Sequence, residues 1–127
     1  RVDTTDYDGD GDVSEGIAHE VEAMQALLYE AIQTYAAQTG GTPIAYETAT
    51  FPYFFIDTND NGVVDGEENN FDNAYNAWTP RLLRAAYNYN YLNHDKGAYA
   101  HNSDYVLQLL YDSLADIGAD VSTLTRP

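Results

Sequence analysis

The sequence predicts a single, mainly α-helical domain over residues 1–127, with about four helices, two acidic loops and a short β pairing between the loops. Three observations support this fold class. Apolar residues recur at helical spacing in separate segments, two turns are rich in Asp, Asn and Gly, and 44% of the residues are hydrophobic. A chain of 127 residues is long enough for one domain with its own core.

The first predicted helix runs from Ser14 to Gln38. Its apolar residues recur at alternating steps of four and three, which marks one face of an amphipathic helix: Ile17, Val21, Met24, Leu28, Ala31 and Tyr35. Ser14 is expected to cap the first turn. Gly40 and Gly41 are expected to end the helix.

Residues 42–56 are predicted to be extended. They are rich in β-branched and aromatic side chains and contain Pro43 and Pro52. Proline disrupts a helix interior and tolerates an edge strand, so an extended path or a short edge strand is favoured.

Two helices are predicted in the second half of the chain. Thr79 and Pro80 form an N-cap and first-turn pair, which predicts a helix through about Asn93. Residues 93–102 are predicted to be a loop. Asn102 or Ser103 then caps a last helix through Ile117, whose buried stripe is Val106, Leu109, Leu110, Leu114 and Ile117, and Gly118 ends it.

The segment from Asp57 to Glu68 matches the twelve-position pattern of an EF-hand calcium loop. Calcium takes six to eight oxygen ligands, and Gly62 stands where the loop needs a sharp turn. Magnesium fits less well, because it prefers strict octahedral geometry and retains its waters. The expected ligands are the side chains of Asp57, Asn59, Asn61, Asp65 and Glu68 and the backbone carbonyl of Val63.

A second acidic loop lies near the start of the chain, so two calcium ions are predicted. Its position twelve is Ile17, which cannot bind a cation, so a shorter loop closed by Glu15 is preferred, with Glu20 as the alternative. The expected ligands are Asp6, Asp8, Asp10, Asp12 and Glu15. The order of these residues resembles the compact calcium loops of Excalibur-type domains, without their cysteine.

The two loops are also expected to pair with each other. Paired EF-hand loops join through the residues at position eight, which predicts a short β ladder between Val13 and Val64.

The charge and composition exclude several classes of partner and site. With 5 basic and 21 acidic residues, the formal net charge of −16 argues against nucleic-acid and anionic-membrane partners. No run of 18 apolar residues is present, so no membrane insertion is predicted. The absence of cysteine excludes zinc–thiolate sites and C-x-x-C-H haem attachment within these residues.

No catalytic constellation is evident, so the chain is predicted not to be an enzyme. His19, His94 and His101 lack metal-site spacing, and no serine has a nucleophile-elbow context. The Tyr/Asn run at 87–91, with further tyrosines beyond it, suits protein contacts or a sugar platform. Packing at the edge of a small core explains these tyrosines equally well.

The whole chain resembles a calcium-loop domain at the C-terminal end of exported multihaem-cytochrome-like proteins. The resemblance rests on DYDGDGD followed by SEG, on PYFFIDTNDNG, and on YNAWTPRLLRAAYNYNY followed by AYAHN. The resemblance implies that the protein is exported, that it binds calcium at both loops, and that it acts as a structural or docking module. The family's haem motifs are missing here, so electron transfer is not implied. A dockerin also lacks entering helices, but its two loops lie closer together.

These inferences predict a calcium-stabilised structural or assembly module, extracellular or at the cell surface. The most specific version of this prediction is a self-assembling surface or fibre subunit, whose partner is a second copy or another surface protein. The alternative is a calcium-binding accessory domain of a multihaem redox protein. A calcium sensor would need a helix pair that opens on binding, and Pro52 leaves no entering helix to form one.

Overall fold

A computed structural model describes residues 16–95 and 98–127. The elements follow in the order α1 (Ile17–Gln38), β1 (Ile44–Tyr46), β2 (Phe54–Ile56), a 3₁₀ turn (Phe71–Asn73), α2 (Pro80–His94) and α3 (Ala98–Asp116). The expectation of about four helices is wrong, because the described residues form three helices and one two-stranded antiparallel sheet. After the Asp57–Glu68 loop the chain makes only the 3₁₀ turn, where the Asn70 side chain accepts a hydrogen bond from the Asn73 N–H.

Helix α1 carries the largest share of the apolar core. It begins at Ile17 with Gly16 at its N-cap, whereas the predicted cap, Ser14, lies outside the described residues. Its buried apolar residues include Val21, Met24, Leu28, Ile32 and Ala36, while the predicted stripe members Ala31 and Tyr35 pack against the core from its edge. The helix ends at Gln38, and Gly41 adopts a φ of 76° just beyond.

The extended path predicted for residues 42–56 is confirmed as a β-hairpin. Strands β1 and β2 pair antiparallel, with Ile44 opposite Ile56 and Tyr46 opposite Phe54. The hairpin packs on α1 through β1. The predicted ladder between the two loops is not established: Val13 lies outside the described residues, and Val64 belongs to no strand.

Helices α2 and α3 complete the core by packing on α1 and on each other. The Thr79 hydroxyl accepts a 3.2 Å hydrogen bond from the Leu82 N–H, as an N-cap should. The predicted loop over 93–102 is wrong in part, because α3 already begins at Ala98. Its backbone is broken at Asn102 (φ −151°, ψ 69°), whose side chain accepts a hydrogen bond from Tyr105 N–H.

The shared core of the three helices is aliphatic at its centre and aromatic near the hairpin. Phe55, Leu82, Leu107 and Leu110 are fully enclosed. The only tryptophan, Trp78, packs edge-on against Phe54 and Tyr75. Within the described ranges, no helix is both long enough and apolar enough to cross a membrane.

Candidate metal centre

The first predicted calcium loop cannot be located. Its expected ligands lie outside the described residues and stay a prediction: Asp6, Asp8, Asp10, Asp12 and Glu15. The alternative closing residue, Glu20, is fully buried in the first turn of α1. The site can therefore be built only from the second loop.

The second loop follows a β-strand instead of a helix. Strand β2 ends at Ile56, and the Asp57 N–H continues the hairpin with a 3.0 Å hydrogen bond to the Pro43 carbonyl. The loop closes in a turn, where the N–H groups of Glu68 and Asn69 both donate to the Asp65 carbonyl. The prediction that no helix enters this loop is thus confirmed.

Two buried carboxylates stand at the first and last positions of the loop. Asp57 is 2% exposed and Glu68 is 3% exposed. The Asp57 carboxylate accepts hydrogen bonds from Gly62 N–H (2.8 Å) and Asn61 N–H (3.3 Å). It therefore holds the middle of the loop against its start.

Glu68 joins the two ends of the loop. Its Oε1 accepts a 2.8 Å hydrogen bond from Asp65 N–H, and its Oε2 accepts bonds from the Thr58 backbone N–H and, at 2.9 Å, from the Thr58 hydroxyl. Burial of Glu68 opposes ionisation, but these three hydrogen bonds outweigh it and lower the pKa of the carboxyl below its ordinary value. Glu68 is therefore held as a carboxylate, which is the form that binds cations.

The remaining predicted side-chain ligands converge on Asp65. The Asn59 side-chain nitrogen lies 2.6 Å from Asp65 Oδ2, and the Asn61 side-chain nitrogen lies 3.0 Å from the same oxygen. A half-turn of each amide exchanges its nitrogen and oxygen. A half-turn of Asn59 brings its amide oxygen towards Asp65, and a cation between the two oxygens would be stabilised there. Asn61 Oδ1 accepts a 3.1 Å hydrogen bond from the Val63 N–H, and a half-turn of Asn61 would break that bond.

The backbone at the centre of the loop requires glycine and is attached to α1. Gly62 has a φ of 83°, and a Cβ there would lie 3.2 Å from Gln33 Nε2. Its carbonyl accepts hydrogen bonds from the Tyr29 hydroxyl (3.0 Å) and from Gln33 Nε2 (3.2 Å). Helix α1 thus supports the loop in the place of an entering helix.

Three supporting residues were missed from the sequence. Tyr29 and Gln33 lie off the predicted apolar stripe of α1, and Thr58 occupies a loop position that the calcium pattern leaves open. Nothing in the local pattern signals their roles, because their partners are distant or depend on the folded loop. Val63 is 55% exposed, and its role as a backbone-carbonyl ligand stays a prediction.

The donor set decides which metal chemistry the loop could support. Among residues 16–95 and 98–127, no group of three or more His, Asp or Glu side chains is arranged to hold a metal ion. The loop's candidates are three carboxylates, two amides and a carbonyl, which are all hard oxygen ligands once the amides turn. This set suits calcium and does not suit zinc or copper, which favour nitrogen and sulfur.

Comparison with known proteins finds similarity to cytochromes. The chain is 38% identical over 108 residues to "C-type polyheme cytochrome OmcC" of Geobacter sulfurreducens, an alignment that covers 79% of this chain and 13% of that protein. It is 37% identical over 91 residues to "C-type polyheme cytochrome OmcB" of the same species, covering 65% of this chain and 12% of that protein. No family model and no solved structure matches. The chain is therefore homologous to part of two c-type polyhaem cytochromes and spans about an eighth of their length.

Proposed function

We propose that this chain is a calcium-stabilised accessory module of an exported protein related to c-type polyhaem cytochromes. The observation that carries the calcium function is the pair of buried carboxylates, Asp57 and Glu68, at the two ends of a loop with calcium-ligand spacing. The similarity to two polyhaem cytochromes favours this role over that of a self-assembling fibre subunit. The chain has no cysteine with which to attach a c-type haem.

The charges of the loop explain why a cation would stabilise the fold. Asp57, Asp65 and Glu68 lie in one twelve-residue loop of a chain whose formal net charge is −16. The charge of Asp65 already opposes ionisation of Glu68, and any carboxylates that the loop draws to about 4 Å around an ion would, without it, repel by roughly 1 kcal/mol per pair. A calcium ion would replace that repulsion with attraction and would tie β2, the loop and α1 together.

A structural ion fits this frame better than a signalling ion does. Sensor EF-hands respond by changing the angle between two helices that flank the loop. Here β2 enters the loop and a 3₁₀ turn follows it. Structural calcium sites in extracellular modules have dissociation constants of about 10⁻⁴–10⁻³ M and are occupied outside the cell. We infer that this chain is an extracellular or cell-surface module of that kind.

Calorimetric titration with CaCl₂ tests the proposal on the full chain. Two sites are expected in the unaltered chain, with weaker binding of MgCl₂. Asp57→Asn and Glu68→Gln should each weaken the second site by about tenfold or more, because each removes a charged ligand. Asp60→Asn is the matched control: Asp60 lies in the same loop at a position not expected to bind the ion, and its φ of 55° suits asparagine. Unchanged calcium binding in both variants would refute the site.

A second candidate function, assembly with other copies, is favoured by exposed apolar side chains on α2 and α3. Leu83 is 51% exposed, Tyr87 69% and Tyr105 51%. Aromatic side chains are enriched at protein interfaces, so such a surface suits self-association. Analytical ultracentrifugation with and without calcium would test it. A monomer at every concentration in both conditions would exclude it, whereas loss of calcium binding alone would leave it standing.

A further inference from the structure

A cleft lies where the turn of the β-hairpin meets the last turns of α2, away from the calcium loop. Its volume is about 370 Å³. Aromatic rings, one amide, one imidazole and one carboxylate line it: Tyr53, Tyr87, Asn90, Tyr91, His94 and Asp95. Helix α2 contributes four of these residues, its C-cap contributes Asp95, and the hairpin contributes Tyr53.

The walls of the cleft are held in place by contacts between α2 and the hairpin. The rings of Tyr53 and His94 lie 4.8 Å apart, centre to centre. The His94 ring lies between two backbone carbonyls, at 2.9 Å from that of Asn90 and 3.3 Å from that of Thr48. The Tyr46 hydroxyl donates a 2.8 Å hydrogen bond to Asn90 Oδ1, which fixes the amide at the cleft.

One carboxylate lines the cleft. Asp95 stands at the C-cap of α2, where the helix end adds a partial negative charge. The Tyr91 hydroxyl donates a 3.4 Å hydrogen bond to the Asp95 carboxylate. The negative charge of Asp95 is also the main reason that the pKa of Tyr91 is raised above its ordinary value. Apart from His94, no described residue that lines the cleft is basic.

The rest of the chain offers few cations of its own to fill such a cleft. Only 5 of the 127 residues are Lys or Arg, against 21 acidic residues. Among the described residues, Arg84 pairs with Asp116 and Arg126 pairs with Asp112, while Arg81 forms no salt bridge with them. Lys96, which follows Asp95, lies outside the described residues. A basic partner is therefore the complement of this surface.

We propose that the cleft binds an arginine side chain of a basic partner protein, with the guanidinium against the tyrosine rings and beside Asp95. The face of an aromatic ring attracts a cation, and a planar guanidinium also stacks on it. The exposed rings of Tyr87 (69%) and Tyr91 (44%) leave room for such a group. This inference does not depend on calcium binding.

Titration of the isotopically labelled full chain with N-acetyl-arginine amide, followed by NMR, tests the proposal. Saturable shifts should be centred on the amides of residues 87–95. The matching citrulline compound, which has nearly the same shape and no charge, should bind about fivefold more weakly or worse. Salt of about 0.15 M keeps general attraction to the acidic surface low. Equal binding of the two compounds, or shifts spread over the whole surface, would overturn the proposal.

Substitutions test whether binding of the arginine compound depends on the cleft or only on the overall negative charge of the chain. Asp95→Asn should weaken binding of the arginine compound about threefold or more, and Tyr91→Leu should do the same through loss of the ring. Both side chains are exposed, so neither change is expected to unfold the chain. Asp72→Asn removes the same charge from an exposed turn elsewhere and should leave binding unchanged. If Asp95→Asn binds as the unaltered chain does, the proposal fails.

Discussion

The hydroxyl of Tyr29 donates a 3.0 Å hydrogen bond to the carbonyl of Gly62 and accepts one of the same length from the Tyr46 N–H. One side chain of α1 thus contacts both the centre of the candidate calcium loop and the end of β1. Burial is the first cause of the raised pKa of Tyr29, and the charge of Asp57 adds to it. The loop is therefore joined to the core through its backbone as well as through its ligands.

Removing the Tyr29 hydroxyl should weaken the fold. In Tyr29→Phe the Tyr46 N–H loses its acceptor and Gly62 keeps only the Gln33 bond, so we expect a loss of about 1–3 kcal/mol in the free energy of unfolding. Urea denaturation measures it. Tyr35→Phe is the control, because its hydroxyl makes no hydrogen bond with another described residue. Equal stability of the two variants would contradict a supporting role for Tyr29.

Gly62→Ala should destabilise the loop more than Gly66→Ala. Gly62 has a φ of 83° and a methyl group would press on Gln33 Nε2, whereas a Cβ at Gly66 would meet nothing within 4 Å. The expected cost at Gly62 is about 1 kcal/mol or more, with little or no cost at Gly66. Thermal melting in the presence and absence of calcium checks this. A similar change in both variants would contradict the geometry.

Glu68 should make the calcium-free domain sensitive to acid. Its pKa is lower in the folded chain than in the unfolded one, so its ionised form adds stability above the ordinary glutamate pKa of about 4.3. That stability is lost as the pH falls through the lower, folded value. Urea midpoints measured between about pH 6 and pH 3 should therefore fall less steeply in Glu68→Gln than in the unaltered chain.

The neighbouring glutamate supplies the control for this pH experiment. Glu67 is exposed and differs from Glu68 by one position in the same loop. Glu67→Gln should keep the steep fall in stability. If Glu68→Gln and the unaltered chain fall in parallel, the buried carboxylate is not the source of the acid sensitivity.

Tyr89 should limit stability at alkaline pH. Burial, with smaller effects from Tyr29 and Tyr46, raises its pKa to about 12. A raised folded pKa adds stability that is complete below the ordinary tyrosine value of about 10 and disappears as the pH rises through the folded value. Ultraviolet titration should show late ionisation that coincides with unfolding. Tyr89→Phe should unfold at higher pH, and an unchanged unfolding pH would contradict this assignment.

The helices and the candidate calcium ligands could be predicted from the sequence because both are recognised by residues only a few positions apart. A step of three or four residues predicted α1, and the pair Thr79 and Pro80 predicted the start of α2. The expected count of about four helices was wrong, since the described residues form three helices and the chain after Glu68 makes only a 3₁₀ turn stabilised by Asn70. The loop over 93–102 was wrong in part because the helical turn from Ala98 lies before the capping residue Asn102.

The sequence by itself determined the calcium-ligand spacing of Asp57–Glu68, the absence of haem-attaching cysteines and the strongly acidic charge. Only the tertiary structure decided that α1 holds the loop through Tyr29, and that Tyr53 of the hairpin meets His94 of α2 in a cleft. The alternating ligand positions of a calcium loop and the helical period of about 3.6 residues both repeat within a few positions, so both can be recognised in the sequence. The Tyr29–Gly62 and Tyr46–Asn90 contacts join residues 33 and 44 positions apart, and such pairs meet only when the shared core brings their elements together.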